Sequence, residues 1–286
     1  MDLNGKGGKP VCFIFGRSTI DFVHRLDKLH NGIAAYLHGE LSLATIENPK
    51  KILDVGAGSG AWAIQAAQLY PDAEVIAADL AQLPARPLPK NVSYLPLDVL
   101  KPYPSEWEQE IFDVIHLRLV LYHLPQAAIG DVLRRTVGFL KPNGWLLIED
   151  VGLHSGHQSS PGPAQHAVNS IFLEMQKSRD LDPLIGEHLE EYLQDTGAFS
   201  EVNIQREQLV LTTDLEAAGP SPEIRAFSDA LRSTLENIMR NEIGEDLKAR
   251  GVTEEMRLSW LQERGDPTYK TYHDFWFTWS RKSGRT

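Results

Sequence analysis

Three glycines at positions 56, 58 and 60 follow the apolar run Ile52-Leu53-Asp54-Val55 and precede Ala61-Trp62-Ala63-Ile64. This order describes a strand, a tight turn and the start of a helix, and glycines lacking Cβ let the turn's backbone come close to a ligand. The G-x-G-x-G spacing differs from the G-x-G-x-x-G of dinucleotide sites. The residues that follow suit a nucleoside. Asp79 closes a second apolar run 19 residues after Gly60, where a carboxylate can accept both hydroxyls of a ribose. Asp98 closes a third run and can accept a hydrogen bond from the amino edge of adenine. Leu80 and Val99, beside these acids, are further candidate contacts. Asp54 can meet an ammonium, directly or through water, and Arg25 can meet a carboxylate. The same residues have plainer uses. Asp79 could cap the next turn, Asp98 could form an Asx-turn, and Asp54 could orient the glycine loop by accepting its N–H groups.

An acceptor group that loses a proton wants a base, and histidine titrates nearest neutrality. His123 is the best candidate by position, after a fourth apolar run at 112–117; His116 and His154 are the others. Leu117, next to His116, is a further candidate for contact with the nucleoside. His154, His157 and His166 also invite a metal reading. Divalent metal for such chemistry wants several oxygen ligands, and this loop holds Ser and Gly, so no metal is assigned.

The elements that must position these residues alternate. A helical period covers 18–45, with Ile20, Val23, Leu26, Leu29, Ile33 and Leu37 on one face. Strands are expected at 51–55, 75–78, 92–95, 112–117 and 145–150, with helices at 61–70 and 126–140 and a turn at 141–144. Strands alternating with helices make a parallel, doubly wound sheet, because parallel strands cannot be joined by hairpins. In such a sheet the ligand lies outside the carboxyl ends of the strands, where Asp54, Asp79 and Asp98 all fall. Beyond 150 come a Gly/Ser/His/Pro loop, helical patterns at 164–179 and 186–196, a strand at 202–211, a charged helical stretch at 222–262 and a last strand at 269–281.

Composition narrows the field. The chain has 286 residues, 42% of them hydrophobic, enough for one large α/β domain or two small ones. The formal net charge of −11 argues against a nucleic-acid surface, which needs clustered Lys and Arg. The single cysteine, Cys12, rules out an internal disulfide and a multi-thiolate zinc site. No signal-peptide pattern and no run of ~20 apolar residues is visible, so a cytoplasmic protein without a membrane span is expected. The expected partner is a small molecule, and the expected assembly a monomer or homodimer.

Ile52–Trp62, Val75–Leu80, Tyr94–Leu100, Phe112–Leu124 and Leu140–Asp150 together resemble class I S-adenosylmethionine (SAM)-dependent methyltransferases. Arg25-Leu-Asp-Lys-Leu-His30, Leu41–Pro49, Trp62-Ala-Ile and Phe112–Arg118 are similar to the fungal branch acting in secondary metabolism. Trp145 stands where that family usually has a second glycine after the turn. The resemblance implies a Rossmann-like seven-stranded mixed sheet whose last strand is antiparallel, with SAM as cofactor. It also implies an N-terminal helical cap (1–48), a core (49–213), a helical lid insert (214–265) and a final core strand (266–286). Leu119-Val120 occupies the place of an Asn-Pro-Pro-Tyr motif, which argues against amino groups of nucleobases or glutamine amides as acceptors. The implied reaction is methyl transfer to O, N or S of a small molecule. A regulatory SAM-fold protein, or a SAM-fold enzyme of another reaction such as cyclisation, are the alternatives.

Overall fold

A computed structural model describes residues 19–152, 160–211, 213–214, 219–240 and 245–284. The first helix, α1, is Thr19–Tyr36. It ends sooner than the apolar period predicts because Gly39 takes the left-handed conformation (φ +85°) and donates to the Ala34 carbonyl, closing the last turn. The core then alternates β1 (Lys51–Val55), α2 (Ala61–Leu69), β2 (Glu74–Asp79), β3 (Val92–Pro96), β4 (Phe112–Arg118), a 3-10 turn (Leu121–His123), α3 (Gln126–Gly138) and β5 (Leu140–Val151). The rest comprises α4 (Pro163–Ser178), α5 (Ile185–Gln194), β6 (Phe199–Val210), α6 (Pro222–Arg240), α7 (Glu245–Ala249), α8 (Glu254–Glu263) and β7 (Tyr272–Lys282).

The strands form one seven-stranded sheet in the order β3-β2-β1-β4-β5-β7-β6. β1 to β5 are parallel, and β7 runs antiparallel between β5 and β6, so the expected mixed sheet is present. The order reverses between β1 and β4, which puts the crevice for a ligand above the glycine turn.

Both faces of the sheet are covered. Leu53, Val55, Ile115 and Leu117 pack with α3 and α5 residues such as Ile129, Leu133 and Leu189. Ile52, Val75, Ala77, Val114 and Leu147 face Trp62, Ala63 and Ala66 of α2. A third cluster joins Leu29 and Ile33 of α1 to Phe227 and Leu231 of α6, over Phe275 and Phe277 of β7. Gly32 permits this crossing, since a Cβ there would lie 2.4 Å from the Ala230 Cβ.

One local expectation is corrected. Residues 141–144 are not a turn before the fifth strand but a bulge inside it. Leu140 pairs with Phe112 and Trp145 with Val114, so the β5 chain must bow to fit the shorter span on β4. Asn143, at φ +62°, makes the bow, and Lys141 Nζ bonds Asp113 Oδ1 at 2.8 Å. The expected helical stretch 222–262 is divided: α6 ends at Arg240, and Gly251 (φ +95°) separates α7 from α8, which Thr253 caps by accepting from the Met256 amide.

Candidate active site

The glycine loop is built as the spacing requires. Gly56, Gly58 and Gly60 have φ of +72°, +58° and +79°. Gly56 and Ala57 donate to the Ala78 carbonyl at 2.8 and 3.0 Å, which ties the loop to the end of β2. Asp79 then gathers the site. Its Oδ2 accepts from the Gly58 amide at 2.8 Å and its Oδ1 from the Ala81 amide at 2.9 Å. Leu80, between them, is among the most exposed large apolar residues.

Beneath the loop lies a buried polar chain. Asp54 pairs in register with His116, and their side chains share a hydrogen bond of 2.8 Å between Oδ1 and Nδ1. The His116 ring stacks on Trp62 of α2, centroids 3.9 Å apart and planes within 6°. His116 Nε2 lies 3.8 Å from Glu149 Oε1; the other Glu149 oxygen accepts from Arg118 Nε, and Arg118 Nη1 is 3.0 Å from His30 Nδ1 on α1. Burial pushes the Asp54 pKa up to about 7, against the pull of Arg118 and the Ala63 amide. Burial, assisted by Arg118, lowers His116 to about 3 despite the raising charge of Glu149, and His30 also falls to about 3. Both rings are therefore neutral at pH 7. Asp54 Oδ2 is buried with no hydrogen-bond partner.

After β4 the chain turns sharply. Leu119 has φ +54°, an unusual state for a bulky residue. Its amide donates to the Glu149 carbonyl at 2.8 Å, and the next residue, Val120, lies against the loop where a Cβ on Gly56 would fall. Asp150, wholly buried at the end of β5, holds the following turn by accepting from the Tyr122 amide at 3.2 Å. Its pKa rises to about 7 through burial, offset by backbone amides. His123 closes this turn. Its Nδ1 is buried without a partner, and burial followed by the charge of Arg25 lowers its pKa to about 4. Arg25 of α1 thus faces the His123 turn while its guanidinium lies over Phe22, 5.4 Å from the ring centroid.

The methyltransferase domain family matches residues 27–198. Methyltransferase str2 of Strobilurus tenacellus is 38% identical over 261 residues, covering 90% of each chain. Methyltransferase str3 of the same organism is 42% identical over 212 residues, 72% of this chain and 75% of that one. This chain belongs to the methyltransferase domain family. Among solved structures, phosphoethanolamine N-methyltransferase 2 of Haemonchus contortus in complex with SAM superposes with a TM-score of 0.54 at 16% identity. That match covers 98% of this chain and 61% of the longer one, and it establishes the shared fold. The protein is a methyltransferase.

The remaining candidates of this methyltransferase divide by environment. Asp98 forms the Asx-turn, Oδ1 accepting from the Leu100 amide at 3.1 Å, and its Oδ2 lies 3.2 Å from Lys101 Nζ. The Val99 carbonyl accepts from Arg135 Nη1 at 2.8 Å, so an arginine of α3 pins this loop. The Leu117 side chain is wholly buried on the α3 side of the sheet, the face opposite Asp54. His116, expected to face the acceptor, is 1% exposed and enclosed between Trp62, Asp54 and Glu149. His154, like His157, lies outside the described residues, and His166 is exposed on α4. Among the described residues no cluster of three metal-binding side chains occurs, and no helix is long and apolar enough to cross a membrane.

Sequence reasoning missed Glu149, Asp150 and His30 as parts of the site. The first two end a strand that read simply as apolar, and His30 sits on a helix remote in sequence. The Tyr122 hydroxyl, in the turn after β4, bonds Gln176 of α4.

Proposed function

We propose that this methyltransferase acts on an O, N or S atom of a small, partly aromatic natural product in secondary metabolism. The observation that carries the reading is Asp79. One carboxylate at the switch point draws the glycine loop and the residue after Leu80 around itself. The residues fit SAM on two further counts. The loop's conformation leaves no room for a Cβ at Gly56, and Asp54 keeps a buried carboxylate oxygen without a partner.

Asp79 holds the ribose diol, Leu80 and Val99 flank the adenine with Asp98 at its amino edge, and Asp54 faces the ammonium. Arg25 holds the methionine carboxylate. When bound, SAM supplies an electrophilic methyl group on a cationic sulfur. His123 accepts a hydrogen bond from the acceptor's O–H or N–H at Nδ1 and aims it. With a pKa near 4 it orients more than it deprotonates, because a base that weak gains little from taking a proton at pH 7. His116 is a positioning residue, fixing Asp54 under the loop. α1 and the 214–265 segment serve as the lid that excludes water, and alignment in that closed space supplies most of the acceleration.

The test incubates the protein with methyl-labelled SAM and fractions of a fungal metabolite extract. Label is expected on a small molecule. Label on protein alone, or SAM binding without any transfer, refutes the reading.

A further inference from the structure

Arg264, the residue after α8, is buried, yet its Nε and Nη1 have no hydrogen-bond partner. Arginines in protein interiors are ordinarily paired. Here the guanidinium lies over the Trp260 ring at 4.2 Å, which occupies one face and leaves its N–H edge in plane for a ligand. The nearby carboxylates are committed elsewhere. Glu236 accepts from Arg232 at 2.6 Å and from Arg240 at 3.1 Å. Glu263 gives both oxygens to the Ala164 and Gln165 amides at the start of α4, 2.7 Å each. Asp274 belongs to the other face of β7 and pairs with Arg206 at 3.6 Å. Asp229 accepts from Arg232 and Lys28. His273, within electrostatic reach of Arg264, is held neutral by burial and by that charge, its pKa near 4. Among the described residues Glu236 and Glu263 act on Arg264 through their charge, but Nε and Nη1 have no hydrogen-bond partner. In the same helix junction Gln165, also buried, has an unpartnered Oε1.

The register locates this group. Val151 pairs with Phe275, so His273 lies just past the carboxyl end of β5. The His123 turn is bound to that same strand end through Asp150. The His123 turn stands on the β4 side of β5, and His273, which feels the charge of Arg264, on the β7 side.

We infer that Arg264 binds a carboxylate on the methyl acceptor, set at the far end of the molecule from the atom that His123 orients, with Gln165 accepting from a donor beside it. The inference rests on the methyltransferase reading of the site. It identifies the acceptor class as an aromatic or otherwise apolar acid whose carboxylate is remote from its methylated group.

The probe is para-hydroxyphenylpropanoate, with its primary amide as the uncharged twin. Each is titrated calorimetrically into protein saturated with S-adenosylhomocysteine. The acid is expected to bind at least about tenfold more tightly than the amide, as a charge-assisted contact implies. Arg264→Gln should abolish the difference, and Arg264→Lys should keep part of it. Both variants should keep wild-type affinity for S-adenosylhomocysteine. Arg264→Met should melt no lower than the wild type, because it removes a buried charge whose Nε and Nη1 are unpartnered; a purely structural arginine would melt lower on replacement. Equal binding of acid and amide, no binding of either, a preference that survives Arg264→Gln, or a fall in melting temperature with Arg264→Met overturns the inference. Failure of the wild type to bind S-adenosylhomocysteine overturns the methyltransferase reading with it, whereas such binding without acid–amide discrimination overturns the anion site alone.

Discussion

Replacing Gly56 with alanine tests the loop most directly. The new Cβ would stand 2.5 Å from Val120 Cγ2, and the residue would have to hold φ near +72°. The left-handed conformation costs a residue with a Cβ about 1–2 kcal/mol. Forcing a methyl group into a filled contact adds about 1–3 kcal/mol. Gly56→Ala should therefore lower stability by about 2–5 kcal/mol and weaken SAM binding, since the loop must shift to relieve the contact. Val120→Ala removes the clashing methyl group. A double-mutant cycle should accordingly return about 1–3 kcal/mol of coupling and leave the conformational cost in place. Urea unfolding of the four proteins gives the cycle, and calorimetry with SAM gives the binding arm. A single Gly56→Ala variant within about 0.5 kcal/mol of wild type, or no recovery on adding Val120→Ala, would refute the close approach of the two loops.

Asp79→Ala should weaken SAM binding by about 2–4 kcal/mol, the loss of one or two charge-assisted hydrogen bonds; unchanged calorimetric affinity would sink the ribose assignment. Stability should fall on acidification from about pH 6.5 to 4. His30, His116, His123 and His273 are neutral in the fold, with pKa values near 3, 3, 4 and 4, while the unfolded chain takes up these protons near 6.5. Asp54 and Asp150, near 7, act the other way: they keep protons that the unfolded chain releases above about 4, which lowers stability as pH rises toward 7. The four histidines outnumber the two acids, and His123→Gln should flatten the acid slope measured by urea unfolding at pH 5 and 7; an unchanged slope would mean His123 is not buried neutral. Glu263→Ala removes the acceptor of the first two α4 amides and should lower stability by about 1–3 kcal/mol, with faster amide exchange confined to the start of α4. Exchange unchanged there would contradict the cap.

The parallel half of the fold was legible because its signals are local. Ile52–Val55, Val75–Ala78 and Phe112–Leu117 are short apolar runs closed by acids or turns, and each became a strand of nearly the expected span. Gly56, Gly58 and Gly60 were legible for the same reason, since a tight strand-to-helix turn leaves its mark in consecutive residues. The helical segments after Asp150 were less so. Residues 222–262 carry one charged, helical composition, and only backbone geometry at Gly251 reveals where one helix stops and the next begins. Lys141-Pro-Asn-Gly misled for a physical reason. Those residues do bend the chain, but the bend bows a strand whose pairing resumes at Trp145.

The buried polar chain was illegible because its pairs are long-range and depend on register. Asp54 meets His116 only because β1 and β4 are neighbours with those residues opposite each other. Arg118 meets Glu149 for the same reason on β4 and β5. A shift of either strand by one residue would turn these side chains to the opposite face, where Leu53, Ile115 and Leu117 now pack. The apolar alternation that fixes the core thus also fixes which acids meet which bases. Through Arg118 and His30 the same chain reaches α1, the helix that carries Arg25 to the His123 turn. The side of the site remote from the glycine loop is therefore set by strand register as firmly as the loop itself, although no run of neighbouring residues announces it.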